Sequence, residues 1–264
     1  EDVKGWMMWM LEAGQSSRSV KRRLSAVKSL YRFLLSLGLV KVNITSKVLV
    51  PKTDKPLPIY FRESEMVAFK ELNKIPTYEE EMDKVEWLEA MRDYLVVELL
   101  YQTGVRRAEL AALEDKDIDL VGRQIRVFGK RRKERFVPIG EKLVKEIEGY
   151  MKIKQDLLQG EECFGIFLVR KKKSGEWVTL GAGGIYNIVR ARMSEVSTLK
   201  KHSPHVLRHT FATTMLNNGA DIRTIQTLLG HSSLEATQVY THTTFEEMKK
   251  VYEKAHPRSM KVKN

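Results

Sequence analysis

The chain has 264 residues, and its 46 Lys and Arg against 34 Asp and Glu give a formal net charge of +12. That length suits one or two domains with a real core, and the positive excess points to a polyanionic partner, nucleic acid foremost. Cys163 is the only cysteine, which excludes an internal disulfide and fits a reducing cytoplasm, and no apolar run nears the roughly 18 residues of a membrane span.

The chain opens on Glu1-Asp2 with no signal-peptide pattern and no initiator Met, so the expected true start lies upstream. The first 50 residues read as helical. Ser19 can cap a helix with apolar residues at Val20, Leu24, Val27, Tyr31 and Leu34, a 4-3-4-3 spacing that makes one buried stripe. Gly38 ends it. Lys21, Arg22, Lys28 and Arg32 lie off the stripe, as a solvated face or as a footprint on a DNA backbone. Their all-positive bias favours the footprint. Pro51, Pro56 and Pro58 crowd three prolines into eight residues, a linker that cannot be helical. The stretch from Pro76 to Asp83 is long and acidic.

Beyond the linker the periodicity predicts helices with a small β insert, a mainly α, α+β fold. Lys84 to Thr103 reads as a helix through Trp87, Met91, Tyr94 and Leu95, stopped by Gly104. Gln124 to Phe128 and Arg135 to Ile139 read as strands around a turn at Gly129-Lys130, and Ile166 to Val169 as a third strand. Pro204 suits the first turn of a helix that Gly219 ends. Asp221 can cap a short helix ending at Gly230. Ser232 and Glu235 have capping-box spacing for a helix carrying Tyr240.

The residues that carry chemistry are spread along this frame. His205 and Arg208 are three apart, on one helix face, and His231 and Tyr240 follow. Such a set suits a phosphodiester attacked by a tyrosine hydroxyl. The non-bridging oxygens need fixed positive donors, the nucleophile must lose a proton, and the leaving 5′ oxygen must gain one. Arg208 is one clamp candidate, because a guanidinium fork matches two phosphate oxygens. Arg106 is a second, in Thr103-Gly-Val-Arg-Arg-Ala-Glu-Leu110, where a helix N-terminus would add backbone donors. Lys130 sits at a hairpin tip, either as the proton donor to the leaving oxygen or as part of a basic turn. Arg131, Arg132, Lys133 and Arg135 read as phosphate contacts around it. Tyr240 is one of nine tyrosines, and only its combination with His231 and Arg208 singles it out. Two rival readings are weaker. His202, His205 and His209 have zinc-compatible spacing, yet no Cys, Asp or Glu follows before Asp221 to complete a site. No serine has a comparable supporting motif.

Taken together, Thr103 to Leu110, Gly129-Lys130 with Arg135-Phe-Val-Pro138, His205-Val-Leu-Arg-His209, Leu229-Gly-His231 and Tyr240 resemble the tyrosine recombinases, the phage-integrase and Xer group. The resemblance runs from about Lys21 to His256, and Ala255-His-Pro257 resembles the end of archaeal Xer-like proteins. It implies a site-specific recombinase, from a chromosomal Xer system or a mobile element, that breaks and rejoins DNA through a 3′-phosphotyrosine. In that reading Arg106 and Arg208 clamp the phosphate, Lys130 protonates the leaving 5′ oxygen and His205 assists proton transfer. His231 hydrogen-bonds the phosphate, Tyr240 attacks it, and Glu109 orients the site.

The resemblance further implies no metal or nucleotide cofactor. It implies a helical core-binding domain over 1–50, a linker over 51–62 and a mixed catalytic domain over 63–264. The family's opening helices are only partly present in the first of these. The implied partner is a double-stranded recombination site. A homotetramer would act on two duplexes and exchange the segment from Phe245 to Ala255, a monomer being an option for the free state. The implied location is the cytoplasm, at the nucleoid, without membrane. A type IB topoisomerase and a non-catalytic DNA-binding descendant are the alternatives.

Overall fold

The computed structural model describes residues 2–49, 58–74, 77–129, 133–160, 163–230 and 242–259, and excludes the side chains of 242–244. The chain forms two compact units, Glu1–Leu57 and Pro58–Asn264. Among the described residues no helix is long and apolar enough to cross a membrane.

The first unit packs α1 (Asp2–Glu12) along α2 (Ser17–Ser36). Met10 of α1 and Val20 and Leu24 of α2 are fully buried, and Val27, Tyr31 and Leu34 complete the expected stripe as half-buried residues. The cap is Ser16 rather than Ser19. Its Oγ accepts the Ser19 N–H at 3.2 Å, so Ser19 is the capped donor three residues into the helix. Gly38 has φ +70°, the left-handed conformation expected where α2 ends. Lys21, Arg22 and Arg32 are exposed. Lys28 is half-buried and donates to the Val48 carbonyl at 2.7 Å, so part of its donor capacity is used inside its own unit.

The second unit is built around α4 (Lys84–Thr103), which matches the predicted span. Asp83 caps it by accepting the Glu86 N–H at 2.8 Å. From Tyr94 to Thr103 it is buried on every face, because α6 (Glu141–Leu158), α7 (Ala182–Ser194) and α8 (Pro204–Asn217) pack around it. The helix α3 (Glu63–Leu72) adds Met66 and Phe69 to the core. Between α4 and α6 runs α5 (Arg107–Ala111), followed by an antiparallel sheet of β1 (Ile118–Asp119), β2 (Gln124–Phe128) and β3 (Glu134–Pro138). The hairpin was legible; the two-residue β1 is too short to show a period.

The third predicted strand is not part of that sheet. Leu168–Arg170 (β4) pairs with Trp177–Thr179 (β5) in a separate two-stranded hairpin. Further on, α9 (Ile222–Leu229) begins at Asp221, whose carboxylate accepts the Thr224 N–H at 2.9 Å, and ends at Gly230 with φ +67°. Last, α10 (His242–Ala255) lies on its own unit with Phe245, Met248, Tyr252 and Ala255 buried. Ser232 and Glu235, with the predicted start of the Tyr240 helix, lie outside the described residues, as does most of the proline-rich stretch.

Candidate active site

Gly104 begins the site. Its φ of +60° ends α4, and its Cα is pressed against two neighbours. A methyl group there would lie 2.5 Å from Phe211 Cδ1 and 2.7 Å from Leu229 Cδ2. The chain therefore turns at once, and Arg106 becomes the N-cap of α5. Glu109, three residues on, reaches back. Its Oε2 accepts the Arg106 backbone N–H at 2.7 Å and its Oε1 accepts Arg106 Nη1 at 2.8 Å. Of the backbone donors expected at this helix start, the Arg106 N–H is taken by Glu109 of the same five-residue helix.

Arg208 comes from the buried face of α8. Its Nη1 donates to the Gly104 carbonyl at 2.6 Å and its Nη2 to the Leu229 carbonyl at 2.7 Å. Arg135 comes from β3. It donates through Nη1 and Nη2 to both oxygens of Glu109, at 3.2 and 2.8 Å, and through Nε to the Leu228 carbonyl at 2.7 Å. Arg135 is only 4% exposed, so the expectation that it contacts phosphates at the surface is corrected. The reason is strand alternation. Arg135 pairs across from Val127 and shares its inward direction with Val137 two residues later.

The last carbonyls of α9 are thus shared out. Leu228 accepts from Arg135, Leu229 from Arg208, and Gly230 from Arg106 Nη2 at a longer 3.4 Å. A helix C-terminus is the negative end of its dipole, which partly offsets three converging cations. Glu109 is the one carboxylate hydrogen-bonded within this group among the described residues. Burial alone would raise its pKa, but the Arg135 and Arg106 hydrogen bonds and the Arg135 charge outweigh burial and hold it below the usual glutamate value. Burial, then the Arg106 charge, push the Arg208 guanidinium down to about 10, still cationic at neutral pH. Arg106 is the accessible member, its side chain 40% exposed. More cations than carboxylates, preorganised on rigid elements, make an anion-binding centre for a group with spread negative charge.

The other predicted residues divide into two sets. His205 and His209 are exposed on α8 and have no hydrogen-bond partner among the described residues. Lys133 is exposed, and its carbonyl accepts the Gly129 N–H at 2.7 Å, closing the turn. Lys130, Arg131, Arg132, His231 and Tyr240 lie outside the described residues. Two of them directly follow described glycines beside the cluster, Gly129 and Gly230. His202 points elsewhere: its Nε2 donates to the Ser197 carbonyl at 3.0 Å and its ring stacks on Phe61. Among the described residues no three His, Cys, Asp or Glu gather as a metal site.

A helical unit carrying small antiparallel sheets, with arginines from α5, β3 and α8 brought to the end of α9, defines a protein that holds a polyanion at one fixed point. Comparison with known proteins gives the family. The phage integrase family profile matches residues 66–247, and that of the phage integrase N-terminal SAM-like domain matches residues 1–38. The tyrosine recombinase XerC of Chlorobaculum parvum is 39% identical over 268 residues, covering 97% of this chain and 78% of that protein. The crystal structure of XerA recombinase is 29% identical, with a TM-score of 0.54 over 94% of this chain and 81% of that one. The XerH site-specific recombinase bound to a palindromic difH substrate shares the fold at 20% identity, with a TM-score of 0.66 over 90% of this chain and 67% of that one. The chain belongs to the phage integrase family and is a site-specific tyrosine recombinase, as the motif resemblance implied.

Proposed function

We propose that the chain breaks and rejoins duplex DNA through a covalent 3′-phosphotyrosine at Tyr240. The observation that carries this reading is the convergence of Arg106, Arg135 and Arg208 on the end of α9, with Glu109 shared by the first two. Arg106 and Arg208 hold the non-bridging oxygens of the scissile phosphate. The Tyr240 oxygen forms the new bond to phosphorus while the bond to the 5′ oxygen breaks. His205 assists removal of the tyrosine proton, Lys130 supplies the proton that the 5′ oxygen gains, and His231 hydrogen-bonds the phosphate. The ester conserves the bond energy, so a second 5′ hydroxyl reverses the step with no nucleotide consumed.

The partner in this reading is a recombination site in double-stranded DNA, and the working state is a tetramer on two duplexes in the nucleoid. The core-binding domain (1–50), joined by the linker 51–62 to the catalytic domain (63–264), contributes Lys21, Arg22 and Arg32 to backbone contacts. Lys133 and the tip residues Arg131 and Arg132 do the same beside the cleavage point. In the tetramer α10 exchanges its present docking for the equivalent docking on a neighbour. The test uses nicked suicide duplexes with a randomised core, incubated with the protein in EDTA. Covalent adducts form, survive denaturation, and disappear in Tyr240→Phe. Adducts that persist in that variant overturn the assignment of the nucleophile.

A further inference from the structure

Arg135 ties Glu109 to the end of α9. Three of its donors are used on two partners, Glu109 and the Leu228 carbonyl. Glu109 in turn holds Arg106 through its backbone and its side chain. The same guanidinium lies against Gly230: a methyl on that glycine would stand 3.1 Å from Arg135 Nη1 and 3.2 Å from its Cζ. It also borders Gly129, where a methyl would stand 4.0 Å from both Arg135 Nη1 and Glu109 Oε1. Gly129 precedes Lys130 and Gly230 precedes His231. One buried group therefore contacts the supports of Arg106, Lys130 and His231, which come from three separate parts of the chain.

We infer that Arg135 is the positioning residue of the cleavage centre, fixing the Glu109–Arg106 pair and the two glycine turns in one arrangement; this rests on the reading of Arg106, Lys130 and His231 given above. The role calls for arginine. A planar fork can face a carboxylate with both Nη groups while Nε points to a carbonyl, and a lysine supplies one charged point on a flexible stem. Without the fork, Glu109 has only Arg106 left as a charged partner and draws it inward, away from an incoming phosphate. Being 4% exposed, Arg135 makes no backbone contact of the counterion-releasing kind. Its loss shows in the chemical step and leaves DNA affinity and its salt dependence unchanged.

The experiment compares Arg135→Lys, Arg135→Ala, Glu109→Gln and the Arg135→Lys/Glu109→Gln double variant with the unaltered chain. It measures single-turnover cleavage at saturating suicide duplex, Kd for intact duplex across a salt series, and Tm. Arg135→Lys is expected to slow cleavage by at least about tenfold with Kd within about threefold and the salt slope unchanged. The double variant is expected to be no more than about twofold slower than the slower single variant, because both changes break one unit. A weaker Kd and shallower salt slope with full cleavage at saturation would make Arg135 an ordinary DNA contact and overturn the inference. So would full cleavage by Arg135→Lys assayed below a lowered Tm, which marks a stability role alone. If Arg135→Ala does not fold, the lysine variant decides. The nucleophile reading fails separately: adducts from Tyr240→Phe break that reading, whereas full-speed cleavage by Arg135→Lys with Tyr240→Phe inert breaks only this one.

Discussion

Two regions of the second unit bury guanidinium groups in opposite ways. Near the C-terminus Arg258 meets Glu98, with Nη2 to Oε1 at 2.9 Å and Nε to Oε2 at 3.2 Å, and it gives another hydrogen bond to the Met66 carbonyl. Glu98 is 1% exposed and also accepts Gln102 Nε2 at 2.8 Å. That region sets one cation against one carboxylate, held between α3 and α4. At the end of α9, Arg106 and Arg135 share Glu109, and Arg208 rests on backbone carbonyls alone. Charge burial is costly without a full partner. A closed pair therefore serves the fold, and a surplus held on neutral dipoles serves an anion that arrives later.

The sharpest way to break this contrast is to delete one arginine from each region. Arg208→Ala is expected to lower single-turnover cleavage by about 10³-fold, roughly 4 kcal/mol of transition-state stabilisation, while Kd for DNA changes only a few-fold. Its cost in stability is the smaller of the two, because relief of repulsion among crowded cations offsets part of the two hydrogen bonds lost to the Gly104 and Leu229 carbonyls. Arg258→Ala is expected to behave the other way. It strands Glu98 and lowers unfolding stability by about 3 kcal/mol in urea, with little effect on cleavage by the remaining folded protein. If Arg208→Ala proves the less stable of the two, or Arg258→Ala the slower at equal folded fraction, the two regions do not divide labour in this way.

Much of this was legible from residue patterns, and the failures share a cause. Helix ends marked by local chemistry were readable: Gly104, Gly219 and Gly230 all adopt positive φ, and Asp221 caps α9 through its own side chain. Motif spacing singled out Arg106 and Arg208, and both reach the end of α9. Arg135 was misread because its neighbours Arg131, Arg132 and Lys133 made it look like one more surface charge. The signal that would have found it was present. In a strand with Val137 inward, Arg135 must also point inward. The Glu98–Arg258 pair, 160 residues apart, was not readable, since no local period links an α4 carboxylate to a residue beyond α10. Lys28 reads from its helical position as one of four outward charges facing solvent or a DNA backbone, yet the loop that brings Val48 back to it carries no periodic signal.

The smallest expected effect concerns His256, which completes the closed region beside Arg258. The ring is fully buried between Tyr101, Phe211 and Tyr252. Its Nδ1 accepts the Arg258 backbone N–H at 3.2 Å, so Nε2 carries the proton and donates to the Tyr101 carbonyl at 3.3 Å. Both nitrogens are satisfied only in the neutral form. A second ring proton would face the Arg258 N–H. Burial, reinforced by the Arg258 charge, pushes the ring down to about 3 from its ordinary 6.5. The sign follows from linkage. Below pH 6.5 the unfolded chain binds a proton that the folded chain refuses, so this contribution is whole above pH 6.5 and is lost as pH falls toward 3. Burial raises Asp115 and Glu146, which act in the opposite sense, so the useful quantity is a difference between two proteins. Between pH 6 and 5 the unaltered chain should lose about 1 kcal/mol more than His256→Gln in urea unfolding. Glu109 is held low, so it too loses stability as pH falls toward the ordinary glutamate value, but it is common to both proteins and drops out of the difference. Parallel stability curves for the two proteins would mean that His256 is protonated in the folded state, and that the C-terminal region is not closed to charge as its geometry indicates.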